Sequence, residues 1–482
     1  MHVAIIGAYG SAGVAVAERL TPHVGEAVSE LTLVDDGEPG GGLCILRGCM
    51  PSKEVISAAS HRYSARHDHR LVGDPPEMDL ERIVETKDEH IHNFAQHRRA
   101  AVHDMAESAG VEFRHERATF VDDHTLRLEP SGDELTPDYV VVATGSVVNV
   151  PDLPGIDEVD PVTSADVLDA TSLPDSGLVM GFGYVGLEMV PYLAEAGVDL
   201  TVVEHDARPL DEADPDFGDE LLDIYREEFG VEVLTHTYEK RVEPVGAGED
   251  ESEGGGGVRL HLDHDGHETT REAEALFLFT GRRPNLDGLG LENTALEPEL
   301  GWVHNTMQAR DDPRTFVVGD VNRKEPILHV AKEQGFVAAR NLLAHAAGGD
   351  LEAYENVHHH VVFSAAGVYP YARVGHSVAS ARAVGVDHVA VSRRASDDGV
   401  FKTKAAPRGL ATLVVGRDGT VLGYQGLHYH ADVMAKTMQL AVEMGLDVGE
   451  IPDRAYHPTT PEILDGLIRA AKAELDEQDE RE

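Results

Sequence analysis

The chain carries one pattern twice: an apolar strand, a glycine-rich turn, a helix, a second apolar strand and a terminal acidic residue. The first copy reads "HVAIIGAYGSAGVAVAERL" followed by "ELTLVDD", and the second reads "SGLVMGFGYVGLEMVPYLAEAGVDLTVVEHD". Each copy predicts two parallel strands joined by a helix, with the turn placed to bind a dinucleotide pyrophosphate. The repetition therefore predicts two dinucleotide sites in one chain.

The second copy has the regular glycine spacing, because Gly181, Gly183 and Gly186 fit GxGxxG. These glycines allow a tight turn, a close approach of backbone N–H groups to the pyrophosphate, and close packing of the helix. Glu204 ends the second strand of this copy, where a carboxylate accepts hydrogen bonds from the ribose hydroxyls of an adenosine.

The first copy is less regular, since its glycines are Gly7, Gly10 and Gly13, as if Tyr9 were inserted into the usual turn. This spacing predicts a wider pyrophosphate loop. Asp35 is the ribose-binding candidate at the end of the second strand, and the neighbouring Asp36 is the alternative.

Three later segments read as buried strands that end in turns. They are "PDYVVVATGS" (137–146), "ALFLFTGRRPN" (275–285) and "RTFVVGDVN" (314–322), and we expect them to complete the first domain. The acidic, glycine-rich run "GAGEDESEGGGG" predicts a flexible hairpin tip within the second domain. From about residue 351, short strands and two amphipathic helices predict a third domain without a nucleotide fingerprint.

The charge balance is strongly acidic, with 40 Lys and Arg against 87 Asp and Glu, a net charge of −47. With no basic patch, this balance argues against nucleic acid and anionic membranes as partners. Such self-repulsion at low salt suggests the hypothesis of a salt-adapted, halophilic cytosol. The chain shows no targeting segment and no apolar run of about 18 residues, so we expect a cytoplasmic protein.

The only two cysteines, Cys44 and Cys49, lie in "GGGLCILRGCMPSKEV". In a regular helix this spacing would separate their Cα atoms by about 7.5 Å along the axis, beyond disulfide reach. A bridge needs a distorted turn, which Gly48 makes affordable. Two unrelated buried thiols are the alternative, but in a reducing cytosol a lone adjacent pair favours a redox or catalytic role.

Two motifs connect these features to a known family. The segment "GGLCILRGCMPSK" matches GGxCxxxGCxPSK, and "HPTTPE" near the C-terminus matches HPTxxE. Together with the two dinucleotide patterns, they make the chain resemble the class I FAD-dependent pyridine nucleotide–disulfide oxidoreductases, the family of dihydrolipoamide dehydrogenase and glutathione reductase. The resemblance implies an α/β fold with two Rossmann-like dinucleotide-binding domains, for FAD and NAD(P), plus a C-terminal α+β dimerisation domain.

The expected domain bounds are residues 1–150 for the FAD-binding domain, completed by 276–350. Residues 151–275 are expected to form the NAD(P)-binding domain, and 351–482 the dimerisation domain.

The resemblance also implies roles for individual residues. Cys49 would be the charge-transfer thiol against the flavin, and Cys44 the interchange thiol that attacks the substrate. Lys53 would lie near flavin N5, paired with Glu188, and Tyr184 would be an aromatic lid that nicotinamide displaces. Asp320 would hold the ribityl chain, and the segment passing the flavin ring would contain Leu328 and His329. The remaining cofactor-binding candidates are Gly42, Thr144, Gly145 and Gly281. No metal site is expected.

His457 and Glu462, in the HPTxxE motif, are the proton-transfer candidates. Near neutral pH the histidine can exchange a proton with Cys44, and the glutamate can fix its tautomer and stabilise the imidazolium. In the resembled family this histidine serves the active site of the other subunit, so the expected assembly is a homodimer with shared active sites.

The expected function is exchange of electrons between a nicotinamide cofactor, FAD and a dithiol or disulfide. Dihydrolipoamide oxidation by NAD leads, because Glu204 suits NAD; reduction of a small disulfide, glutathione-like or bis-γ-glutamylcystine, is the alternative. Arg208 could reach a 2′-phosphate, so NADP(H) is not excluded.

Mercuric reductase is disfavoured because no cysteine follows Cys49. A scaffold flavoprotein with an idle disulfide is the rival class. The segment "VVFSAAGVYPYARVG" lacks the family's Pro-Glu, which leaves the substrate open.

Overall fold

The structure is a computed structural model that describes residues 1–246, 256–454 and 456–479. The chain forms two compact units. The first consists of Met1–Pro51, Thr86–Asn149 and Arg282–Asn356, and the second of Ser52–Glu85, Val150–Gly281 and Val357–Glu482. Most of the run predicted as a hairpin tip lies outside the described residues, but the strands that flank it, Thr237–Val245 and Gly257–His264, pair antiparallel.

The first unit is built on a five-stranded parallel sheet in which every strand except the edge strand Val111–Arg114 is largely buried. Their order across the sheet is Thr315–Val317, Tyr139–Val142, His2–Ile6, Glu30–Val34, Val111–Arg114. Helices Ser11–Leu20 and Leu328–Ala346 pack against each other and contribute to the apolar core on one face of this sheet. Since parallel strands end at one edge, Gly7, Asp35 and Thr144 come together there.

The second unit contains another five-stranded parallel sheet, whose strands Ser176–Met180 and Ala275–Leu278 are largely buried. Its order is Glu232–Leu234, Asp199–Val203, Ser176–Met180, Ala275–Leu278, Val162–Thr163. The prediction that the strand at Ala275 completes the first domain is wrong, because this strand pairs with Ser176–Met180. An apolar strand ending in a glycine turn has the same sequence character in either sheet, so its pairing partner was not readable locally.

The C-terminal part of the second unit is an antiparallel sheet with helices, as expected for an α+β arrangement. The strand order is His359–Val362, Tyr371–Gly375, Val421–Leu427, Leu410–Gly416, His388–Arg394. Helices Ala431–Glu443 and Glu462–Asp479 are amphipathic and contribute buried residues to the core beside this sheet.

The remaining elements connect these layers. The other α-helices are Leu43–Leu46, Cys49–His67, Leu80–Ala106, Ser164–Asp169, Tyr184–Glu195, Pro215–Glu228, Val378–Ala383 and Gly399–Thr403. Small antiparallel sheets join Arg117–Asp122, Thr125–Glu129 and Glu134–Leu135; Thr237–Val245, Gly257–His264 and His267–Ala273; and Ser146–Val148 with Arg282–Pro284. Within the described ranges, no helix has the length and apolarity that a membrane span requires.

Candidate active site

The first glycine turn connects strand His2–Ile6 to helix Ser11–Leu20. The Gly10 N–H donates to the Gly7 carbonyl at 3.1 Å, and Gly10 is the N-cap of the helix. A Cβ at Gly13 would overlap the Gly7 carbonyl oxygen, so only glycine lets the helix pack this closely on the turn. The turn therefore keeps a backbone cradle of the kind that accepts a pyrophosphate at a helix N-terminus.

Tyr9, the apparent insertion, directs its ring away from solvent and is only 1% exposed. Its hydroxyl lies 3.0 Å from His103 Nε2, and its ring centroid lies 5.0 Å from that of Phe113. Burial is the largest influence that raises the pKa of Tyr9. The extra residue is thus absorbed as a core side chain of the first unit.

Asp35 lies directly behind this turn. Its two carboxylate oxygens accept backbone N–H groups of Tyr9 and Gly37, each at 2.8 Å. Burial raises the pKa of Asp35, and these two hydrogen bonds oppose that rise. Asp36 instead faces Arg117, with 3.1 Å between Nε and Oδ2. Of the two aspartates, Asp35 is therefore the one that contacts the glycine turn.

Asp320 lies in a short chain of hydrogen bonds that sequence reasoning missed. Ser146 Oγ donates to Asp320 Oδ2 at 2.7 Å, and Arg282 Nε donates to Ser146 Oγ at 2.9 Å. Burial lowers the pKa of the Arg282 guanidinium, which Asp320 partly offsets. Both supporting residues fall in segments already noted, "ATGS" and "GRRPN", but their contact joins positions 136 residues apart.

The other predicted cofactor residues lie at the end of a strand, at the start of a helix and at a boundary between the two units. Thr144 and Gly145 follow strand Tyr139–Val142, and the Thr144 hydroxyl donates to the Asn285 carbonyl at 2.7 Å. Leu328 and His329 begin helix Leu328–Ala346. Gly281 is the last residue of the second unit before the chain re-enters the first.

The two cysteines lie on either side of a break between two helices. Helix Leu43–Leu46, capped by Gly42, ends before Gly48, and helix Cys49–His67 begins at the second cysteine. A Cβ at Gly48 would lie 3.0 Å from the Leu43 carbonyl oxygen and 3.2 Å from the Cys44 Cα. The predicted distorted turn is therefore present, and glycine allows its close approach.

The thiols of Cys44 and Cys49 are hydrogen-bonded to each other. This bond is the largest influence that raises the pKa of Cys44, and burial adds to it. Arg98, whose Nη1 donates to the Tyr9 carbonyl at 3.0 Å, acts in the opposite direction. Cys49 is the more exposed of the two cysteines. Adjacent thiols with unequal environments suit a pair that opens and closes a disulfide.

The second glycine turn has the geometry that its sequence predicts. Gly181 follows strand Ser176–Met180 with φ of 95°, and Gly183 is the N-cap of helix Tyr184–Glu195. Gly186 lies against the turn, since a Cβ there would meet the Gly181 carbonyl oxygen at 2.5 Å. This turn is a second backbone cradle at a helix N-terminus.

Glu204 follows the next strand, and its Oε1 accepts the Asp206 N–H at 2.8 Å. Burial raises the pKa of Glu204, and that hydrogen bond opposes the rise. Arg208, the residue that left NADP(H) open, pairs with Asp219, with 2.7 Å between Nε and Oδ1. Its guanidinium is therefore already engaged by a carboxylate.

Lys53 and Glu188 come together within the second unit. Lys53 Nζ lies 2.5 Å and 2.6 Å from the two oxygens of Glu188, and it stands 4.8 Å from the centre of the Phe363 ring. Glu188 also accepts the backbone N–H of Phe363 at 3.1 Å. Side-chain exposures of 32% and 15% mark a half-buried, multiply bonded pair.

His457 and Glu462 form the second predicted pair. His457 Nδ1 lies 3.2 Å from both oxygens of Glu462, and the imidazole side chain is 81% exposed. The pKa of Glu462 is lowered mainly by the hydrogen bond from the Thr459 N–H and, to a smaller extent, by the hydrogen bond from His457. An ionised Glu462 that accepts from Nδ1–H leaves Nε2 outward as a proton acceptor.

The segment without the family's Pro-Glu takes an unusual path. Ala365, Ala366 and Gly367 all have positive φ values, at 49°, 55° and 72°. The Ala365 N–H donates to the Tyr225 hydroxyl at 3.1 Å, and the Ser364 hydroxyl donates to the Tyr369 carbonyl at 2.6 Å. The sequence of this segment alone did not predict the conformation of the buried turn.

Comparisons with known proteins agree with this geometry. The family described as pyridine nucleotide-disulphide oxidoreductase matches residues 1–335, and its dimerisation domain matches residues 361–467. Dihydrolipoyl dehydrogenase 2 of Haloarcula marismortui is 30% identical over 451 residues, which cover 90% of each chain. Mercuric reductase of Streptomyces lividans is 30% identical and covers 95% of this chain and 92% of its own.

A solved structure agrees at the level of the fold. The HOCl-induced flavoprotein disulfide reductase RclA from Escherichia coli has a TM-score of 0.80 at 22% identity, covering 97% of this chain and 99% of its own.

The fold and the matched domains define a flavoprotein disulfide oxidoreductase. This chain belongs to the class I pyridine nucleotide–disulfide oxidoreductase family. It is an enzyme of the type that uses FAD and NAD(P)H. The two glycine cradles, each followed by a half-buried carboxylate at a strand end, fit two dinucleotides.

Proposed function

We propose that this enzyme moves two electrons between NAD(H) and dihydrolipoamide through FAD and the Cys44–Cys49 pair. The observation that carries the proposal is the turn at Gly48, which places the two thiols in hydrogen-bond contact. The named function of the Haloarcula relative supports the choice of substrate. Two measurements test the proposal: the enzyme should oxidise dihydrolipoamide with NAD, and NADH should bleach its flavin absorbance. A flavin spectrum that NADH leaves unchanged would contradict the proposal.

In this proposal the first unit holds FAD, and the five-stranded parallel sheet of the second unit holds NAD(H). The cradle at Gly7–Gly13 would take the FAD pyrophosphate, Asp35 the adenosine ribose, and Asp320 the ribityl chain. The segment that contains Leu328 and His329 would lie alongside the flavin ring. Bound FAD supplies the two-electron acceptor between the nicotinamide and the cysteine pair.

The cysteines carry out the disulfide exchange in two balanced steps. In the reducing direction, the Cys44 thiolate attacks one sulfur of a disulfide, forming a mixed disulfide and releasing the other sulfur as a thiolate that takes up a proton. The Cys49 thiolate then attacks the Cys44 sulfur, which releases the second thiol and leaves a Cys44–Cys49 disulfide. The substrate gains two electrons and the pair loses two; dihydrolipoamide oxidation runs the same steps in reverse.

A proton acceptor is needed because the raised pKa of Cys44 favours the thiol form. We assign this role to His457, whose Nε2 is free of the Glu462 contact at Nδ1. Glu462 stabilises the imidazolium that forms when the histidine takes the proton. Lys53, compensated by Glu188, would supply positive charge near flavin N5, and Tyr184 would cover the nicotinamide position.

NADH should be used with at least about tenfold higher kcat/KM than NADPH, because the Glu204 carboxylate would repel a 2′-phosphate at close range. Glu204→Gln should narrow that ratio. Arg208→Ala is the matched control, since Arg208 is paired with Asp219 and its loss should leave the ratio unchanged. Steady-state rates with both nucleotides measure it, and a higher efficiency with NADPH in the wild-type enzyme would contradict the assignment.

Reduction of a small disulfide is the second candidate, and the buried turn at Ala365–Gly367 is the observation that favours it. A changed segment in place of Pro-Glu indicates a substrate mouth different from that of many members. Rates with NADH and a panel of lipoamide, glutathione disulfide and bis-γ-glutamylcystine distinguish the two. Mercuric reduction is disfavoured, because the chain has no cysteine after Cys49.

A homodimer with shared sites belongs to this proposal. The chain contains the family's dimerisation domain, and exposed apolar side chains line one face of helix Ala431–Glu443 and its end. They are Val433, Leu440 and Met444, exposed by 63%, 50% and 68%. Their spacings of seven and then four residues place them on one face of the helix, which suits contact with a second copy.

The net charge of −47 supports salt adaptation as a further part of the proposal, in a cytoplasmic setting. Counterions at molar concentration would screen repulsion between the excess carboxylates. The thermal unfolding midpoint should therefore rise between 0.1 M and 2 M KCl, measured with the FAD-loaded enzyme. A midpoint that falls over this range would contradict salt adaptation.

A further inference from the structure

The hydroxyl of Tyr184 is held by two side chains from distant parts of the second unit. It donates to Glu212 Oε1 at 2.9 Å and lies 3.4 Å from His360 Nε2. The Tyr184 and His360 rings also contact each other, with centroids 5.2 Å apart and planes tilted by 40°. Yet the tyrosine is 43% exposed, so these contacts, rather than burial, fix its ring.

Glu212 and His360 are firmly placed themselves. The His360 side chain is 3% exposed, and its Nδ1 lies 2.8 Å from His358 Nε2. Burial lowers the pKa of His360. Burial is also the largest single influence on Glu212 and would raise its pKa, but the hydrogen bonds from His360, the backbone and Tyr184, together with the charge of His360, leave the pKa of Glu212 lowered. The carboxylate is therefore ionised near neutral pH, and the tyrosine makes a charge-assisted hydrogen bond.

A second contact joins helix Tyr184–Glu195 to the end of strand His359–Val362. Glu188, one helical turn after Tyr184, accepts the Phe363 N–H, and Phe363 lies three residues after His360. The backbone around Tyr184 is thus anchored next to the Lys53–Glu188 pair. The hydroxyl contact adds a restraint on the ring that a phenylalanine could not make.

We propose that Glu212 and His360 form a latch that holds the Tyr184 ring in its closed position and so limits nicotinamide entry. The proposal rests on the lid role of Tyr184 given above. If NADH binds only when the ring has moved, its apparent dissociation constant is the intrinsic one divided by the open fraction. Glu212 and His360 are positioning residues, and breaking the latch raises that fraction.

The test measures how fast NADH bleaches the flavin of the FAD-loaded enzyme, as a function of NADH concentration. Tyr184→Phe keeps the ring and removes the hydroxyl. It should lower the apparent dissociation constant about tenfold or more, the range of one hydrogen bond to a charged group, and this effect should be larger than any effect on the limiting rate. Glu212→Gln and His360→Gln should shift the constant in the same direction.

His359→Gln is the matched control. His359 lies in the same strand, but its Nδ1 bonds to the Val357 carbonyl at 2.7 Å and its side chain is not part of the latch. This variant should keep the wild-type constant. The double variant Tyr184→Phe with Glu212→Gln should have the same apparent dissociation constant for NADH as Tyr184→Phe alone, because both changes break the same hydrogen bond.

Separate outcomes overturn separate claims. An unchanged or higher constant in Tyr184→Phe, or fully additive effects in the double variant, overturns the latch. Tyr184→Ala removes the ring, and if it binds NADH as the wild type does, the lid role fails and the latch fails with it. Wild-type enzyme whose flavin NADH does not bleach contradicts the proposed function instead.

Discussion

The Cys44→Ser variant should lose disulfide turnover by on the order of a thousandfold or more, because serine cannot form the mixed disulfide with which the exchange begins. It should still bind FAD and should still be reduced by NADH, since Cys49 and the nicotinamide cradle remain. Before NADH is added, the Cys44→Ser enzyme should already show the long-wavelength absorbance of a thiolate next to oxidised flavin, because Cys49 has no disulfide partner. Stopped-flow spectra and steady-state rates on one preparation measure both properties.

The Cys49→Ser variant is the matched partner of that experiment. It should lose the long-wavelength band because the thiolate donor is gone, and it should trap substrate as a mixed disulfide on Cys44. The volume change is the same in both variants, so flavin content serves as the folding control. If the band disappeared in Cys44→Ser and survived in Cys49→Ser, the roles of the two cysteines would be reversed.

Much of the fold was readable because the decisive patterns are local. Strand, glycine turn, helix and strand follow one another without interruption at residues 2–34 and 176–203, and both stretches form parallel pairs with the registers that such units require. Gly48 likewise predicted a break in the helix between the two cysteines. In each case the chain's own neighbours determine the geometry.

The failures concern partners that are distant in sequence. The strand Ala275–Leu278 was assigned to the wrong sheet because its apolar sequence says nothing about which strands flank it. Tyr9 was recognised as an insertion, but its burial depends on His103 and Phe113, far along the chain. The sequence pattern locates the insertion, and only tertiary packing decides where its ring goes.

The candidate site divides in the same way. Lys53 and Glu188 were expected together from the family resemblance, and the structure places them in contact. The latch residues Glu212 and His360 belong to no motif, and one among 27 histidines carries no signal in the sequence. A hydrogen bond such as that from Ser146 to Asp320 becomes visible only when the fold brings two loops to one sheet edge.

Mixed dimers should recover activity that neither parent variant has. Cys44→Ser and His457→Gln should each be nearly inactive, the first for lack of the attacking thiol and the second for lack of the proton acceptor. If each active site pairs the cysteines of one chain with His457 of the other, a mixed dimer contains one site with both native residues. Unfolding and refolding the two variants together in equal amounts should restore about a quarter of wild-type activity by random pairing.

The exposure of His457 makes this outcome physically reasonable, because its imidazole is held by Glu462 yet 81% of the side chain faces outward. Each variant refolded alone is the control and should stay inactive, which separates complementation from general recovery on refolding. The fraction of mixed dimer is measured by giving one variant an affinity tag and counting untagged chain that it retains. Mixed dimers without activity would mean that His457 acts within its own chain or takes no part in the proton transfer.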